Sequence, residues 1–235
     1  MDVEADRCHH IKRNRPIASG AIAVASAWKL AAALAVAALG MSFWVSPGAA
    51  LLVFAYTLIN IGYSLRWKNI VIVDVFLISA GFMLRLLTGT LGLGIAPSAW
   101  LLLCGFMITL FLGFAKRRSE MLTQESFSDL AAAGPSTRKV LDSYSPAMIE
   151  QFMSVSAACA VISYSLYTVA PETVARHHTQ KLIVTVPFVV YGIFRYLYLL
   201  HRERRGADTA RDLLTDAHML FVCAGWGALT VLIRL

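Results

Sequence analysis

Residues 70–93 read Ile70-Val71-Ile72-Val73-Asp74-Val75-Phe76-Leu77-Ile78-Ser79-Ala80-Gly81-Phe82-Met83-Leu84-Arg85-Leu86-Leu87-Thr88-Gly89-Thr90-Leu91-Gly92-Leu93. A helix needs about 20 predominantly apolar residues to cross a hydrocarbon core. This run meets that length with Asp74 near its start and Arg85 inside it as its charged residues, so it reads as a transmembrane helix. Asp74, Ile78, Gly81 and Arg85 follow at steps of three and four, which puts carboxylate and guanidinium on one face roughly 16 Å apart. An arginine at such depth is costly and normally faces a protein interior or a wet cavity. Arg85 is therefore a functional candidate, with a structural ion pair to an acid on a neighbouring helix as the alternative.

Outward from this run, similar stretches lie near Ser26 to Trp44, Ala49 to Ile61, Trp100 to Ala115, Met148 to Ala170, Leu182 to Leu200 and Ala217 to Ile233. The second is short, and Pro47 with Gly48 marks its start. Together they predict an all-α, polytopic membrane bundle of about seven transmembrane helices, read as a single domain over residues 1–235. The composition agrees. Of the 235 residues 58% are hydrophobic and 15% charged, with a mean hydropathy of +0.65, whereas soluble domains sit nearer half apolar and a quarter charged. The same figures exclude a disordered chain, and the four cysteines are scattered rather than spaced as a disulfide scaffold.

A net charge of +7 suggests nucleic acid in a soluble protein; in a membrane protein it asks where the charges sit. One set of connections holds Arg7, Lys12, Arg13, Arg15, Arg66, Lys68, Lys116, Arg117, Arg118, Arg138, Lys139, Arg202, Arg204, Arg205 and Arg211. The other set holds Arg176, Lys181 and Arg234. The positive-inside rule places the first set in the cytoplasm, and most acids fall on the same side. Polar groups crowded at one surface suit an enzyme or receptor for an anionic, water-soluble partner, whereas transporters carry theirs near the midplane. The first fifteen residues are polar and charged, unlike a cleavable signal peptide.

Several clusters carry chemistry. If residues 2–6 are helical, Asp2 and Asp6 share a face and repel unless a cation sits between them. Mg²⁺ binds through one or two carboxylates plus substrate phosphates, so these acids ahead of Lys12, Arg13 and Arg15 look like a metal–phosphate site. An ordinary mixed-charge juxtamembrane segment is the alternative. The connection Gly62-Tyr63-Ser64-Leu65-Arg66-Trp67-Lys68 leads to Asp74. Lys116, Arg117 and Arg118 end the fourth span, where the helix dipole and topology alone favour cations. Tyr191, Arg195 and Tyr198 share a face, and Arg195 either snorkels to the surface or meets a phosphate. His9, His10, His177 and His178 lack the spacing of a zinc site, and no nucleic-acid motif is present.

Taken in order, Asp2-Val3-Glu4-Ala5-Asp6-Arg7, His9, Lys12-Arg13 and Arg15-Pro16-Ile17-Ala18-Ser19-Gly20 resemble the latter part of the first aspartate motif of UbiA-type membrane prenyltransferases. Tyr63-Ser64 with Lys68 and Asp74-Val75, Gly81-Phe82 with Leu84-Arg85, Lys116-Arg117-Arg118 with Glu120, and Arg195-Tyr196-Leu197-Tyr198 resemble its decaprenyl-phosphate phosphoribosyltransferase branch. The family pattern opens with Asn-Asp upstream of Met1 and has nine helices, so the expectation is that the chain begins inside the motif and lacks about two helices. His10 stands where the family has proline. The resemblance implies a Mg²⁺-dependent enzyme of the bacterial cytoplasmic membrane, its site facing the cytoplasm. It would move 5-phosphoribose from phosphoribosyl pyrophosphate to a polyprenyl phosphate and release pyrophosphate. By that resemblance Asp2 and Asp6 hold the metal and, with Asp74, form the catalytic set. Lys12, Arg13, Arg15, Tyr63, Lys68, Arg85, Lys116, Arg117, Arg118 and Arg195 bind substrate. A homo-oligomer is compatible with this reading. The alternatives are a UbiA enzyme joining a prenyl diphosphate to an aromatic acceptor, and a non-catalytic membrane scaffold.

Overall fold

The computed structural model describes Val3, Arg7 and residues 12–128, 139–202 and 214–234. No strand occurs among them. Eight α-helices are described: α1 Val24–Val45, α2 Pro47–Leu65, α3 Val73–Gly92, α4 Ala99–Ser128, α5 Pro146–Val169, α6 Pro171–His177, α7 Val186–Arg202 and α8 Ala217–Arg234. Six helical stretches are long and apolar enough to cross a membrane: α1, α2, α3, Ala99–Leu122, α5 and Lys181–Arg202. The seventh apolar run of the sequence forms the shorter helix Ala217–Ile233. The chain is a multi-pass membrane protein.

The residues cluster into two compact units. The first, residues 1–97 and 130–143, packs α1 on α2 and α2 on α3 as successive antiparallel hairpins. Ser46 alone separates α1 from α2. Its N–H donates to Ser42 O at 3.1 Å, and its hydroxyl accepts from Ala49 N at 3.0 Å ahead of Pro47 at the first helical turn. An N-cap serine and a proline whose missing N–H is not needed are a strong start signal. For this reason α2 begins before Ala49 and, at 19 residues, is longer than its apolar run alone suggests. Its last turn also takes in Gly62-Tyr63-Ser64-Leu65, so Tyr63 is helical rather than in a connection. At the far end of α3, Gly94 has φ +70°, a conformation open to glycine that lets Ile95 N reach back to Thr90 O at 2.8 Å.

The second unit, residues 98–129 and 144–235, is built on α4 against α5, with α7 against α5 and α8. Where α4 and α5 pack together, Phe111, Phe114 and Ala115 of α4 and Ile149, Met153, Ala157 and Ala160 of α5 are buried, and Phe114 and Phe152 pack with ring centres 5.2 Å apart. The small residues among these positions of α5 let backbones approach closely, which matters where lipid offers no hydrophobic drive between helices. Phe111 and Tyr196 pack edge to face at 5.7 Å. One end of this unit is tied by a neutral hydrogen-bond chain: Trp226 Nε1 donates to Tyr164 Oη, which meets Thr185 Oγ1 at 2.7 Å, which donates to Leu182 O. The other end carries ion pairs.

Candidate functional site

In the first unit the candidates sit on two connections. Residues 12–22 fold on themselves, with Lys12–Asn14 in a 3-10 turn, Ser19 N donating to Arg15 O at 2.8 Å and Ile22 N to Pro16 O at 3.0 Å. Arg7 Nε donates to Ala18 O at 3.0 Å. This turn presents Arg13 and Arg15 exposed. Asp2 and Asp6 lie outside the described residues.

The second connection is held tightly at both ends. After α2, Trp67–Asn69 forms a 3-10 turn, and the Trp67 ring lies so close over Gly62 that a Cβ there would come within 2.4 Å of it. Glycine is required by that approach. The same turn packs on the segment Lys139–Ser143, whose Val140 and Leu141 are buried. At the other end Ile72 has φ +70° and ψ −48°, and Val73 N donates to Val71 O at 2.8 Å. That is a γ-turn of the rare, strained kind, centred on a β-branched residue. Between the two constraints Lys68 is half-buried, and Asp74, in the first turn of α3, is fully buried. The connection is preorganised, and it brings Lys68, Tyr63 and Asp74 onto neighbouring elements.

Arg85 stands apart from them. Its guanidinium carbon is 5.0 Å from the Tyr56 ring centre and 5.1 Å from that of Phe82, and Nη2 donates to the Tyr56 hydroxyl. The residue is exposed. What it touches is neither an acid on a neighbouring helix nor the loop around Asp74.

The second unit distributes its cations differently. Lys116 is exposed at the end of the apolar part of α4. Arg117, 1% exposed, pairs with Glu120 at 2.6 Å. Arg118 Nε meets Glu150 Oε1 at 3.1 Å, and His201 Nε2 lies 3.8 Å from the same oxygen. Arg195 grips Asp216 with both Nε (3.1 Å) and Nη2 (2.6 Å) and lies over the Tyr198 ring at 5.0 Å. Asp216 also caps α8, accepting from Met219 N at 2.9 Å. The Arg195 hydrogen bond in particular, with the Met219 N–H, holds the Asp216 carboxyl at about 2 against an ordinary 3.8. A phosphate at Arg117, Arg118 or Arg195 would share the guanidinium with a carboxylate.

Glu150, Asp216 and Tyr56 belong to none of the motifs read from the sequence. Asp216 is legible as an acid immediately before an apolar helix, which is an N-cap position. Glu150 and Tyr56 have no local signal. Among the described residues no group of three His, Cys, Asp or Glu side chains could hold a metal.

Residues 1–223 match the model of the UbiA prenyltransferase family. The chain is 36% identical over 201 residues to decaprenyl-phosphate phosphoribosyltransferase of Corynebacterium glutamicum, covering 83% of this chain and 58% of that protein. It is 31% identical over 202 residues to the protein of that name from Mycolicibacterium smegmatis (83% and 61%). Against the Mycobacterium tuberculosis protein of that name it is 30% identical over 195 residues (83% and 62%). The chain spans about three fifths of the length of these relatives.

Proposed function

The chain belongs to the UbiA prenyltransferase family, and from that premise we propose that it transfers 5-phosphoribose from phosphoribosyl pyrophosphate to a polyprenyl phosphate, releasing pyrophosphate at the cytoplasmic face of a bacterial inner membrane. The observation that carries the reading is the connection between α2 and α3, braced by Trp67 on Gly62 and by the turn at Ile72, which holds Arg66 and Lys68 and leads into the buried acid Asp74. Departure of pyrophosphate builds negative charge on the leaving group and oxocarbenium character on the sugar, so fixed cations meet the former. Lys12, Arg13 and Arg15 are suited to that task, and Lys68 and Lys116 are candidates for the ribose 5-phosphate or the lipid phosphate. Asp74 and Tyr63 are suited to the ribose hydroxyls. The polyprenyl phosphate is already ionised and needs no general base. Asp2 and Asp6 are the family's candidates for Mg²⁺, which when bound supplies charge neutralisation at the pyrophosphate.

A prenyl diphosphate joined to an aromatic acceptor is the rival reaction. The test is to give membranes carrying this chain labelled phosphoribosyl pyrophosphate and decaprenyl phosphate, and in a second arm a labelled prenyl diphosphate with 4-hydroxybenzoate. The Corynebacterium glutamicum relative serves as positive control. Label in the lipid phase of the first arm alone is the expected result. Label in the second arm alone, or in neither while the control works, overturns the proposal.

A further inference from the structure

Arg85 is thirteenth in a helix of 20 residues. Its guanidinium stacks over Phe82 one turn back, as helix side chains lean toward the N-terminus. At 1.5 Å per residue the charge lies about 14 Å from either end of α3, close to the middle of a hydrocarbon core roughly 30 Å thick. Phospholipid head groups do not reach that depth, and a snorkelling arginine would point the other way. The two rings and the Tyr56 hydroxyl satisfy one edge of the guanidinium and hold it in place. A cation so placed is costly in lipid unless an anion or strong acceptor meets it.

The described helices do not supply one. Across the apolar helical stretches the acids are Asp74, Glu120 and Glu150, each within about a turn or so of a helix end. A second copy brings the same helices and the same lack. We infer that Arg85, framed by Tyr56 and Phe82, is the docking point for a transmembrane helix outside these 235 residues that carries a carboxylate in its middle third. The inference does not depend on the transfer reaction, and an inactive chain would still show it.

The test uses synthetic transmembrane peptides of about 20 residues, Leu/Ala-rich with lysine ends, bearing one glutamate at the midpoint, one glutamate a turn from the end, or none. Energy transfer from the labelled full chain in phosphatidylcholine vesicles reports association. A polar contact between membrane helices is worth about 1–2 kcal/mol, so the midpoint glutamate binds about tenfold tighter than the apolar peptide. The terminal glutamate gains nothing. Arg85→Met loses the difference and Arg85→Lys keeps part of it, which separates a lost contact from a lost fold. Equal binding of all three peptides to the wild-type chain overturns the proposal, as does a midpoint preference that survives in Arg85→Met. If phosphatidylglycerol in the vesicles abolishes the preference through Arg85, the residue reads a lipid phosphate and the inference fails.

Discussion

Arg85 and Arg195 stand alike in the sequence, each a guanidinium inside an apolar run with aromatic residues on its face, but the fold treats them in opposite ways. Arg195 donates two hydrogen bonds to Asp216, which also caps the next helix. Arg85 meets two rings and a phenol. The difference follows from what the chain places nearby. The second unit has acids at the starts of α5 and α8 that reach its arginines, whereas α1 and α2 carry none and α3 has Asp74 about 16 Å from Arg85. A guanidinium inside a span is thus a structural tie in one unit and an open point of attachment in the other.

The comparison can be broken at Asp216 first. Asp216→Ala leaves Arg195 half-desolvated and removes a helix cap, and should cost about 3 kcal/mol in detergent unfolding after allowance for partial exposure. Arg195→Met, which leaves Asp216 the Met219 N–H, should cost about 2 kcal/mol. In the first unit the largest effect should come from close packing and not from charge. Gly62→Ala drives a methyl group into Trp67 and should cost about 1–2 kcal/mol, read by the same unfolding. Arg85→Met should fall within about 1 kcal/mol of the parent or above it, since no carboxylate is orphaned. A loss at Arg85 equal to that at Arg195 would erase the distinction.

Acid sharpens it further. The Asp216 carboxyl is depressed to about 2 from 3.8, so its contribution is complete above pH 3.8 and fades as pH falls toward 2. Asp216→Asn should flatten that acid limb of the stability curve, while Arg85→Met should leave it parallel to the parent.

Much of the fold is legible in the amino-acid sequence. Span positions follow from apolar length, the Pro47-Gly48 start of α2 from its turn signal, and the Arg-rich connections from the charge rule, while the Ser46 cap that extends α2 shows only in the structure. The pairing of Arg195 with Asp216 is not legible there, because the partners are 21 residues apart and meet through the packing of α7 on α8. The strained turn at Ile72 is hidden for a similar reason: a β-branched residue at positive φ is imposed by its surroundings against its own preference. The family resemblance therefore marks Lys68 and Asp74 as candidates, and the turn geometry shows how the connection that carries them is braced.

The most direct test of the transfer site is the initial rate at which membranes carrying Asp74→Asn move label from phosphoribosyl pyrophosphate to decaprenyl phosphate, measured beside the parent at matched protein level. Asparagine keeps the volume and removes the charge, so a buried, preorganised carboxylate acting on the donor predicts a fall of about 100-fold or more. A rate within about twofold of the parent, less than about 0.5 kcal/mol of barrier, would contradict the assignment of the α2–α3 connection as part of the transfer site.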